Sequence, residues 1–550
     1  MNIVKFSNQN RKASLEKLTK EEYDLIVIGG GITGGGILLD AASRGLKVVL
    51  FEKRDFASGT SSKSTKLIHG GLRYLKQFDF SLVKEVGTER AIVHKLAPHL
   101  VIPEKMLLPI IENGSYSKLL TSIGLKTYDI LARVKGDDRR KMLNKTETAN
   151  LEPLLSKEGL KGAGYYAEYR TDDARLTIEN IKTALQFGGH AFNYTNVIGF
   201  TYDKDKINGV TIKDEISGKE FNIHAKHVIS AAGPWVDELR TLNNSCKGKR
   251  LQLTKGVHLV FPWEKLPVKQ SVYFDIGDGR MMFAIPRGKI TYAGTTDTNY
   301  TDDKNEVVTN LNDAIYLINA INKMFPAVDL SIDDIISSWA GLRPLIHEDG
   351  KSPSELSRKD EIFVADNGLV SIAGGKLTGY RKMAERVVNK ILGKNKDKFS
   401  GCSTDKILLC GNGFKDAEAV QIYINQIFEQ NIRKGLTKHD AWYLVTNYGT
   451  QTELILEHFE NRKEINASTR LILSELHFCV NYEMVINPMD FFIRRTGRLY
   501  FDIESIKQFL DPVLNEFKIL FKVDDPQILN WKKEIERELE IHALTQEKIG

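Results

Sequence analysis

The hydrophobic pattern of the chain changes abruptly at Tyr23. Residues 1–22 are polar and charged, and we interpret them as a leader that is helical only in part. The segment "YDLIVIGGGITGGGILLDAASRGLKVVLFEK" then places glycines between apolar runs. This pattern predicts a buried strand over residues 25–28, a glycine turn, a helix over about 32–44 and a second strand over 47–51. Together these elements form a βαβ unit.

Later apolar runs are spread along the chain instead of being grouped. They are "HVISAAGPWV" (227–236), "GVHLVFPW" (256–263), "RMMFAIPRGKITYAGTTD" (280–297) and "LVSIAGGKLTGYRKMAERVVNKIL" (369–392), the last of which ends as a helix. Strands that are so far apart return to one sheet when the segments between them build a second sheet domain. After about Gly401 the pattern becomes helical. We therefore predict a leader at 1–22, two interleaved sheet domains over 23–400 and a helical domain over 401–550.

Composition limits the class of protein. With 550 residues, 42% hydrophobic and 27% charged, the chain has the composition of a soluble globular protein of two or three domains. The net charge of +6 is small and does not indicate a nucleic-acid partner, although it is compatible with an anionic membrane surface.

Cysteines and apolar segments limit the environment. The four cysteines are scattered without a C-x-x-C pair, so we expect neither a metal site nor a disulfide framework, and a reducing compartment is favoured. The N-terminus lacks an apolar signal core, and the sequence contains no uninterrupted apolar run of about 18 residues. Any membrane contact is therefore expected to be peripheral, with the protein in the cytoplasm.

The glycine turn at the start of the βαβ unit fits a dinucleotide fingerprint. Gly29, Gly31 and Gly34 stand in G-x-G-x-x-G spacing between the predicted strand and helix. The first permits the tight turn, the second lets a pyrophosphate approach the backbone, and the third allows the helix to pack closely on the strand. Glu52 ends the second strand, where an acidic residue accepts hydrogen bonds from the adenosine ribose. The unit therefore predicts a bound dinucleotide.

Two later segments favour FAD over NAD. "VISAAGPW" follows the fingerprint by some 200 residues, and "SIAGGKLTGY" precedes a long helix near the end of the strand-rich region. A helix that begins there would direct its N-terminus at the flavin ring, where negative charge develops on reduction. An NAD enzyme needs no such late return of the chain to its cofactor.

Eight motifs together resemble one enzyme family. "VIGGGITG", "TSSKSTKLIHGGLRYL", "TDDARL", "AAGPWV", "KGVHLV", "GTTDT", "GLRPL" and "GGKLTGYRK" occur in the order and approximate spacing of FAD-dependent glycerol-3-phosphate dehydrogenases. The resemblance covers about residues 20–400, with a helical domain of the family's usual size behind it. It implies a Rossmann-like FAD domain of glutathione-reductase type, an antiparallel-sheet cap domain for the substrate and an all-helical C-terminal domain. The implied reaction is oxidation of sn-glycerol 3-phosphate to dihydroxyacetone phosphate.

The fingerprint and the resemblance together give the expected cofactor residues. Gly70 and Gly71 would let the backbone run against the flavin ring, where a Cβ would collide. The full expected set is Gly29, Gly31, Gly34, Glu52, Lys53, Thr60, Ser61, Ser62, Gly70, Gly71, Gly233, Gly375, Lys376, Leu377 and Thr378.

A phosphate substrate requires cations, which are preferably arginines for their bidentate grip. The candidates are Arg73, Arg343 and Lys376, with Lys255 as a further option. The resemblance assigns the first three to the substrate pocket, together with Tyr74 and Thr378. Lys66 and Lys76 are expected at the surface.

The hydroxyl proton of the substrate requires a base, for which a histidine is suited. His258 is the first candidate because the resemblance places its strand beside the substrate, and His69 is the second. Arg343 would polarise the C2 oxygen. The sequence leaves this choice open. His347 is expected in a solvated loop, and Asp172 or Asp173 is expected to cap the helix that begins near residue 174.

The electron acceptor and the assembly are less constrained. Relatives pass electrons to membrane quinone or to oxygen, and residues 115–141 combine apolar positions at helical spacing with basic flanks, which favours a peripheral quinone reductase. A homodimer is also considered. Other readings are a glycerol-3-phosphate oxidase, an amino-acid or sarcosine oxidase, an NAD-dependent dehydrogenase and a flavin-binding sensor without turnover. The basic and aromatic segment "FFIRRTGRLYF" (491–501) fits a membrane, partner or core role equally.

Overall fold

The structure is a computed structural model that describes residues 3–69, 80–112, 114, 139–347, 360–393, 398–462 and 466–544. The helices of these ranges are α1 (Arg11–Leu18), α2 (Ile32–Ser43), α3 (Phe80–Leu96), α4 (Lys145–Leu151), α5 (Asp173–Leu185), α6 (Val236–Leu242), α7 (Leu311–Met324), α8 (Tyr380–Leu392), α9 (Ala417–Asn431), α10 (Lys438–Tyr448), α11 (Thr452–Asn461), α12 (Ala467–Tyr482), α13 (Arg498–Phe501), α14 (Ile503–Phe521) and α15 (Asp525–His542).

The strands of the same ranges are β1 (Glu22–Ile28), β2 (Val48–Phe51), β3 (Leu67–Ile68), β4 (Ile102–Ile111), β5 (Lys141–Leu143), β6 (Leu160–Arg170), β7 (His190–Phe192), β8 (Thr195–Asp203), β9 (Lys206–Asp214), β10 (Glu220–Ser230), β11 (Leu251–Pro262), β12 (Ser271–Asp275), β13 (Met281–Arg287), β14 (Ile290–Gly294), β15 (Thr298–Asn299), β16 (Ser337–Ile346), β17 (Asp360–Val364) and β18 (Val370–Gly374).

The βαβ unit predicted from the sequence is confirmed, with each boundary within three residues of the prediction. β1 and β2 pair in parallel, and all four residues of β2 are buried. Burial on both faces explains why these strands read as continuous apolar runs. The helix α2 connects the two strands. Ten of its twelve residues are buried between the sheet and neighbouring helices, which explains why most of its residues are apolar or glycine.

The first sheet brings together strands that are more than 300 residues apart in sequence. Its central order is β17-β18-β10-β1-β2-β7, and β1, β2, β7, β10 and β18 run parallel. Ile28 lies opposite both Phe51 and Ser230, and Ser230 lies opposite Ser371. Parallel strands end at the same edge, so the segments after β1, β2, β10 and β18 meet there, which is where ligands bind in such sheets.

The second sheet contains ten described strands and is mainly antiparallel. β11 pairs with β14 on one side and along ten residues with β16 on the other. The helical region packs against this sheet, because Tyr292 and Trp339 share a buried cluster with residues of α10, α12 and α14. The predicted mixed α/β architecture with a following helical region is therefore observed.

The N-terminal segment packs on the first sheet domain. Leu15 in α1 is fully buried, and Phe6 joins the same core. The Arg11 guanidinium is also buried, where it donates to Asp214 and to the carbonyl oxygens of Asn193 and Tyr194. The predicted domain boundaries remain a prediction. Among the described helices, none is both long enough and apolar enough to cross a bilayer.

Candidate cofactor and substrate site

A cavity of about 570 Å³ lies where the carboxyl edge of the parallel sheet meets the second sheet. We call it the central cavity. Fourteen of the residues expected from the sequence line it: Gly29, Gly31, Glu52, Lys53, Thr60, Ser61, His69, Gly233, His258, Arg343, Gly375, Lys376, Leu377 and Thr378. The fold therefore brings the predicted cofactor and substrate residues to one place.

Four expected residues and one expected segment fall outside the described part of the chain, and two others lie off the cavity wall. Gly70, Gly71, Arg73 and Tyr74 belong to residues that the structure does not describe, as does most of the segment 115–141. Gly34 and Ser62 lie behind the wall, where both are buried.

The glycine turn is built for close approach of a ligand to the backbone. Gly29 has a φ of 111°, and a Cβ there would lie 2.6 Å from the carbonyl oxygen of Ala231. A Cβ on Gly34 would lie 1.8 Å from the carbonyl oxygen of Gly29. Gly34 therefore acts as the fingerprint predicts, by letting α2 start directly against β1. The turn leaves bare backbone and the N-terminus of α2 facing the cavity, which suits a pyrophosphate.

Glu52 and Ser61 fix the wall around this turn. The backbone N–H of Gly30 donates to Glu52 Oε2 at 2.7 Å, and the N–H of Arg54 donates to Oε1 at 2.9 Å. The N–H of Ile32 donates to Ser61 Oγ at 2.9 Å. Glu52 lies at the end of β2 on the cavity wall, which is the place where a ribose-binding carboxylate is required.

The late return of the chain to the cavity is observed as well. Gly374 ends β18 and Gly375 follows it, with φ angles of 78° and 80°, and Lys376–Thr378 line the cavity just before α8. A Cβ on Gly375 would lie 2.4 Å from Met383 Sδ. The N-terminal end of a thirteen-residue helix thus faces the cavity, where it would favour negative charge. These glycine-lined walls fit a dinucleotide with a ring system beside α8.

Arg343 extends from β16 into the cavity through a space that a glycine leaves open. Its guanidinium donates to the carbonyl oxygen of Thr296 at 2.8 Å and to Thr295 Oγ1 at 2.6 Å, and it pairs with Asp297 at 3.1 Å. A Cβ on Gly256 would lie only 2.2 Å from one of its nitrogens. The "GTTDT" motif, which had no assigned role in the sequence, is therefore the support that orients Arg343.

His258 lies on β11 in a fully buried aromatic setting. Its ring stacks on Trp339 with centroids 4.9 Å apart, and its Nε2 lies 3.0 Å from Thr65 Oγ1. Its Nδ1 is buried without a hydrogen-bond partner among the described residues. Burial, together with the positive charges of Arg343 and Lys66, lowers the pKa of His258 well below 6.5. The imidazole is therefore neutral near pH 7.

His69 is fixed through its backbone. Its N–H donates to Thr378 Oγ1 at 3.1 Å, and the Thr378 hydroxyl donates to the His69 carbonyl at 3.1 Å. These two bonds join residues more than 300 positions apart, and they place His69 beside the turn that leads into α8. His347, in contrast, is exposed beyond the end of β16, as expected.

The surface position expected for Lys66 is wrong. Lys66 is 1% exposed, and its ammonium pairs with Asp173 at 2.5 Å and donates to the carbonyl of Ser62 at 3.0 Å. Asp172 caps α5 by accepting from the N–H of Arg175, as predicted. The acidic pair of "TDDARL" therefore has a second role, because Asp173 supplies the counter-ion that allows a lysine to be buried beside the cavity.

Several residues on or near the cavity were assigned no role from the sequence. Trp235 lines the end beside Glu52, with Lys53 Nζ 4.2 Å from its ring centroid. Trp339 supports His258, and its indole N–H donates to the carbonyl of Ser64 at 3.1 Å. From its pattern alone, an aromatic residue in a strand is interpreted as an ordinary core residue.

The described ranges contain no group of three or more His, Cys, Asp or Glu side chains arranged for a metal ion.

Comparison with known families supplies two matches that together cover most of the chain. A family described as FAD dependent oxidoreductase matches residues 24–381, and one described as the C-terminal domain of alpha-glycerophosphate oxidase matches residues 402–528. Among curated relatives, the aerobic glycerol-3-phosphate dehydrogenase of Bacillus subtilis (strain 168) is 49% identical over 527 residues, which are 94% of this chain and 95% of the relative. That of Staphylococcus haemolyticus (strain JCSC1435) is 48% identical, with 96% of each chain covered.

Solved structures give the same picture. The glycerol-3-phosphate dehydrogenase of Bacillus halodurans, crystallised with FAD, is 42% identical, covers 98% of both chains and superposes with a TM-score of 0.84. The L-alpha-glycerophosphate oxidase of Mycoplasma pneumoniae is 20% identical over 68% of this chain with a TM-score of 0.54, which supports the fold alone.

Proposed function

Because the chain belongs to the family of FAD-dependent glycerol-3-phosphate dehydrogenases, we propose that it oxidises sn-glycerol 3-phosphate to dihydroxyacetone phosphate and passes the electrons to a membrane quinone. Membership confirms the predictions that it is an oxidoreductase and that FAD is its cofactor. The observation that carries the proposed substrate is the presence of Arg343 and Lys376 on the wall of the central cavity. Two cations at the flavin site suit a phosphate ester better than a lone carboxylate.

The phosphate of the substrate binds to these cations. Thr295 and Asp297 hold the Arg343 guanidinium at the cavity wall, so its positive charge is already in place when a substrate arrives. Lys376 adds a point charge from the segment before α8, and Arg73 and Tyr74 stay predicted contacts. Gly29, Gly31, Glu52, Ser61, Gly375 and Thr378 are the residues proposed to hold FAD.

His258 is the proposed base. When bound, FAD would supply the acceptor for the hydride, a hydrogen with two electrons, that leaves C2 of the substrate. His258 takes the proton of the C2 hydroxyl, since its ring is neutral and its Nδ1 has no hydrogen-bond partner among the described residues. The arriving phosphate offsets the positive charge of Arg343, which raises the pKa of His258 and makes it a better base at the moment of reaction. His69, fixed by Thr378, is the second candidate.

Two observations support the proposal of a quinone acceptor and of a peripheral position at the cytoplasmic membrane. The relatives of highest identity described above are named dehydrogenases. The sequence of residues 115–141 also combines apolar positions at helical spacing with basic flanks, as a segment that lies on an anionic lipid surface requires. A homodimer is the proposed assembly, which sedimentation of the purified protein tests.

The reaction is tested by mixing the yellow protein with substrate under anaerobic conditions. We expect sn-glycerol 3-phosphate to bleach the visible flavin band, whereas glycerol at the same concentration leaves it almost unchanged, because only the ester engages Arg343. A band that persists with sn-glycerol 3-phosphate would contradict the proposed substrate. Adding a soluble quinone analogue or oxygen to the reduced protein then identifies the acceptor. Reoxidation that is faster with oxygen than with the quinone would favour an oxidase.

A further inference from the structure

The segment "FFIRRTGRLYF" takes no part in the proposed reaction, yet the structure buries most of it. Asp490–Arg495 forms a single π-helical turn after α12, and Arg495 is completely buried. Fully buried arginines are rare unless an anion pairs with them. The identity of that anion connects the helical region to the cofactor site.

The anion is Asp55, which comes from the other end of the sequence. Arg495 grips its carboxylate with both terminal nitrogens, Nη1 to Oδ2 and Nη2 to Oδ1, each at 2.8 Å. Arg494 donates from Nε to the same Oδ2, and Asn193 donates to Oδ1 at 3.0 Å. We call Asp55, Arg494 and Arg495 the arginine clamp. Burial raises the pKa of Asp55, but the charges of Arg495 and Arg494 outweigh it and lower that pKa to about 2, so the carboxylate is ionised.

Asp55 lies in the middle of a loop, and the residues before and after Asp55 in this loop line the central cavity. Glu52 and Lys53 precede it on the wall, and Ser58–Ser61 follow. The loop also holds the glycine turn, because the N–H of Ala57 donates to the carbonyl oxygen of Gly30 at 3.0 Å. Ala57 has a φ of 61°, a left-handed conformation that an alanine adopts only when its surroundings impose it.

The clamp is anchored on its far side. Arg495 also donates to the carbonyl oxygen of Glu483 at 2.8 Å, and Arg494 pairs with Asp490 at 2.8 Å. Asp490 accepts from the Tyr194 hydroxyl at 2.6 Å. The arginines are therefore fixed before they reach Asp55, and they hold the loop from behind while its front faces the cavity.

We propose that Asp55, Arg494 and Arg495 are positioning residues for FAD binding, through which the helical region holds the cofactor loop in its binding conformation. The inference rests on the FAD site of the proposed function and is independent of the substrate and acceptor. None of the three residues lines the cavity, so their effect on FAD passes through Glu52, Ser61 and the glycine turn. Without the arginine clamp, the loop would spend part of its time in conformations that cannot bind FAD. The apparent affinity for FAD would then fall in proportion to the fraction of molecules in the binding conformation.

The test measures FAD affinity of the full-length apoprotein by flavin fluorescence, in the absence of substrate. Asp55→Asn keeps the shape of the side chain but removes the charge that both arginines grip. We expect its Kd for FAD to rise at least about tenfold, which corresponds to about 1.4 kcal/mol. Because Asp55→Asn leaves two buried arginines poorly paired and could fail to fold, Arg494→Gln is the second variant. Arg494 is 11% exposed, and we expect a smaller rise in Kd, of about threefold or more.

Arg498→Gln is the matched control, because it breaks a buried ion pair inside the helical region. Arg498 pairs with Glu475 at 3.2 Å and has no contact with the loop among the described residues. It should lower the Tm of apoprotein and holoprotein alike while leaving the FAD Kd within about twofold. In Arg494→Gln, added FAD should raise the Tm by less than in wild type at the same concentration. A wild-type Kd in Arg494→Gln, with only a lower Tm, would overturn the inference. Because no substrate is present, an error in the assigned reaction would not alter this outcome.

Discussion

The two ends of the central cavity are built from different materials. At the cofactor end, glycines at the carboxyl edge of the parallel sheet leave bare backbone and helix N-termini as the binding surface. At the substrate end, the antiparallel sheet supplies side chains, among them the buried His258 and Trp339 and the partly buried Arg343. Binding at the cofactor end depends on the absence of side-chain atoms. Binding and reaction at the substrate end depend on particular charged and aromatic side chains.

This contrast explains how each end should fail. An added methyl group is harmful at the cofactor end, because a backbone carbonyl oxygen already occupies the space beside Gly29 and beside Gly34. At the substrate end, the loss of a charge or of a lone pair is harmful. Such a change should leave the fold intact but impair substrate binding or the reaction. The following changes separate these two kinds of failure.

The largest effect is expected from Gly34→Ala. The added Cβ would lie 1.8 Å from the carbonyl oxygen of Gly29, so α2 cannot start against β1 and the pyrophosphate site is lost. We expect purified protein without flavin and with a strongly lowered Tm. Gly401→Ala is the control, since its Cβ meets open space and should change neither. Normal flavin content in Gly34→Ala would contradict the account of the cofactor end.

His258→Asn should retain FAD but lose turnover. An amide cannot accept the hydroxyl proton, and general-base groups contribute about 10²- to 10⁴-fold to rates. Rapid-mixing measurement of anaerobic flavin reduction by sn-glycerol 3-phosphate gives the rate directly. His347→Asn, at the exposed histidine, is the control. If the His258 variant reduces its flavin at the wild-type rate while His69→Asn does not, His69 is the base.

Gly256→Ala adds a methyl group at the substrate end, which is the kind of change expected to be harmful at the cofactor end. Its Cβ would lie 2.2 Å from the Arg343 guanidinium, the flexible end of a side chain that can shift. We expect normal flavin content with KM for sn-glycerol 3-phosphate raised about tenfold, the loss of about one charged hydrogen bond. Gly199→Ala lies in ordinary contact distance on β8 and should leave KM unchanged. An unchanged KM in Gly256→Ala would show that the position of Arg343 does not matter.

The smallest effect is a change in pH dependence. The pKa of His258 lies well below 6.5 through burial and the charges of Arg343 and Lys66, so the base is lost only as pH falls through that low value. Protonation of His258 should lower kcat/KM at acidic pH, and we expect this acid limb of the pH profile to lie below pH 6.5. Arg343→Ala removes one of the charges and should move this acid limb to higher pH. The substrate phosphate titrates identically in both proteins, so a limb at the same pH in both would contradict the assignment.

The sequence predicts the cofactor end better than the substrate end for a physical reason. Gly29, Gly31 and Gly34 are close in sequence, and their spacing alone encodes the turn. Arg343 depends on Gly256 and on Thr295–Asp297, which only strand pairing brings together. The family resemblance named Arg343 and His258, but it did not reveal what supports them.

Lys66 and Arg495 show a second limit of sequence reasoning. Each is a basic residue in a basic stretch, where a solvated position is the ordinary expectation. Both are buried, because Asp173 and Asp55 meet them from distant elements of the fold. A buried ion pair has no local pattern, so its partners are recognised only in three dimensions.

The most direct test of the central claim is a cycle of two proteins and two substrates. Anaerobic flavin reduction is measured for wild type and Arg343→Ala, each with sn-glycerol 3-phosphate and with glycerol. If Arg343 grips the phosphate, the variant should lose about 100-fold in kcat/KM for the ester, mainly through KM, and little for glycerol. Arg462→Ala, which breaks the Arg462–Glu516 pair at 2.7 Å in the helical region, should lose neither. Equal losses for the ester and for glycerol in Arg343→Ala would contradict a substrate end built to bind phosphate.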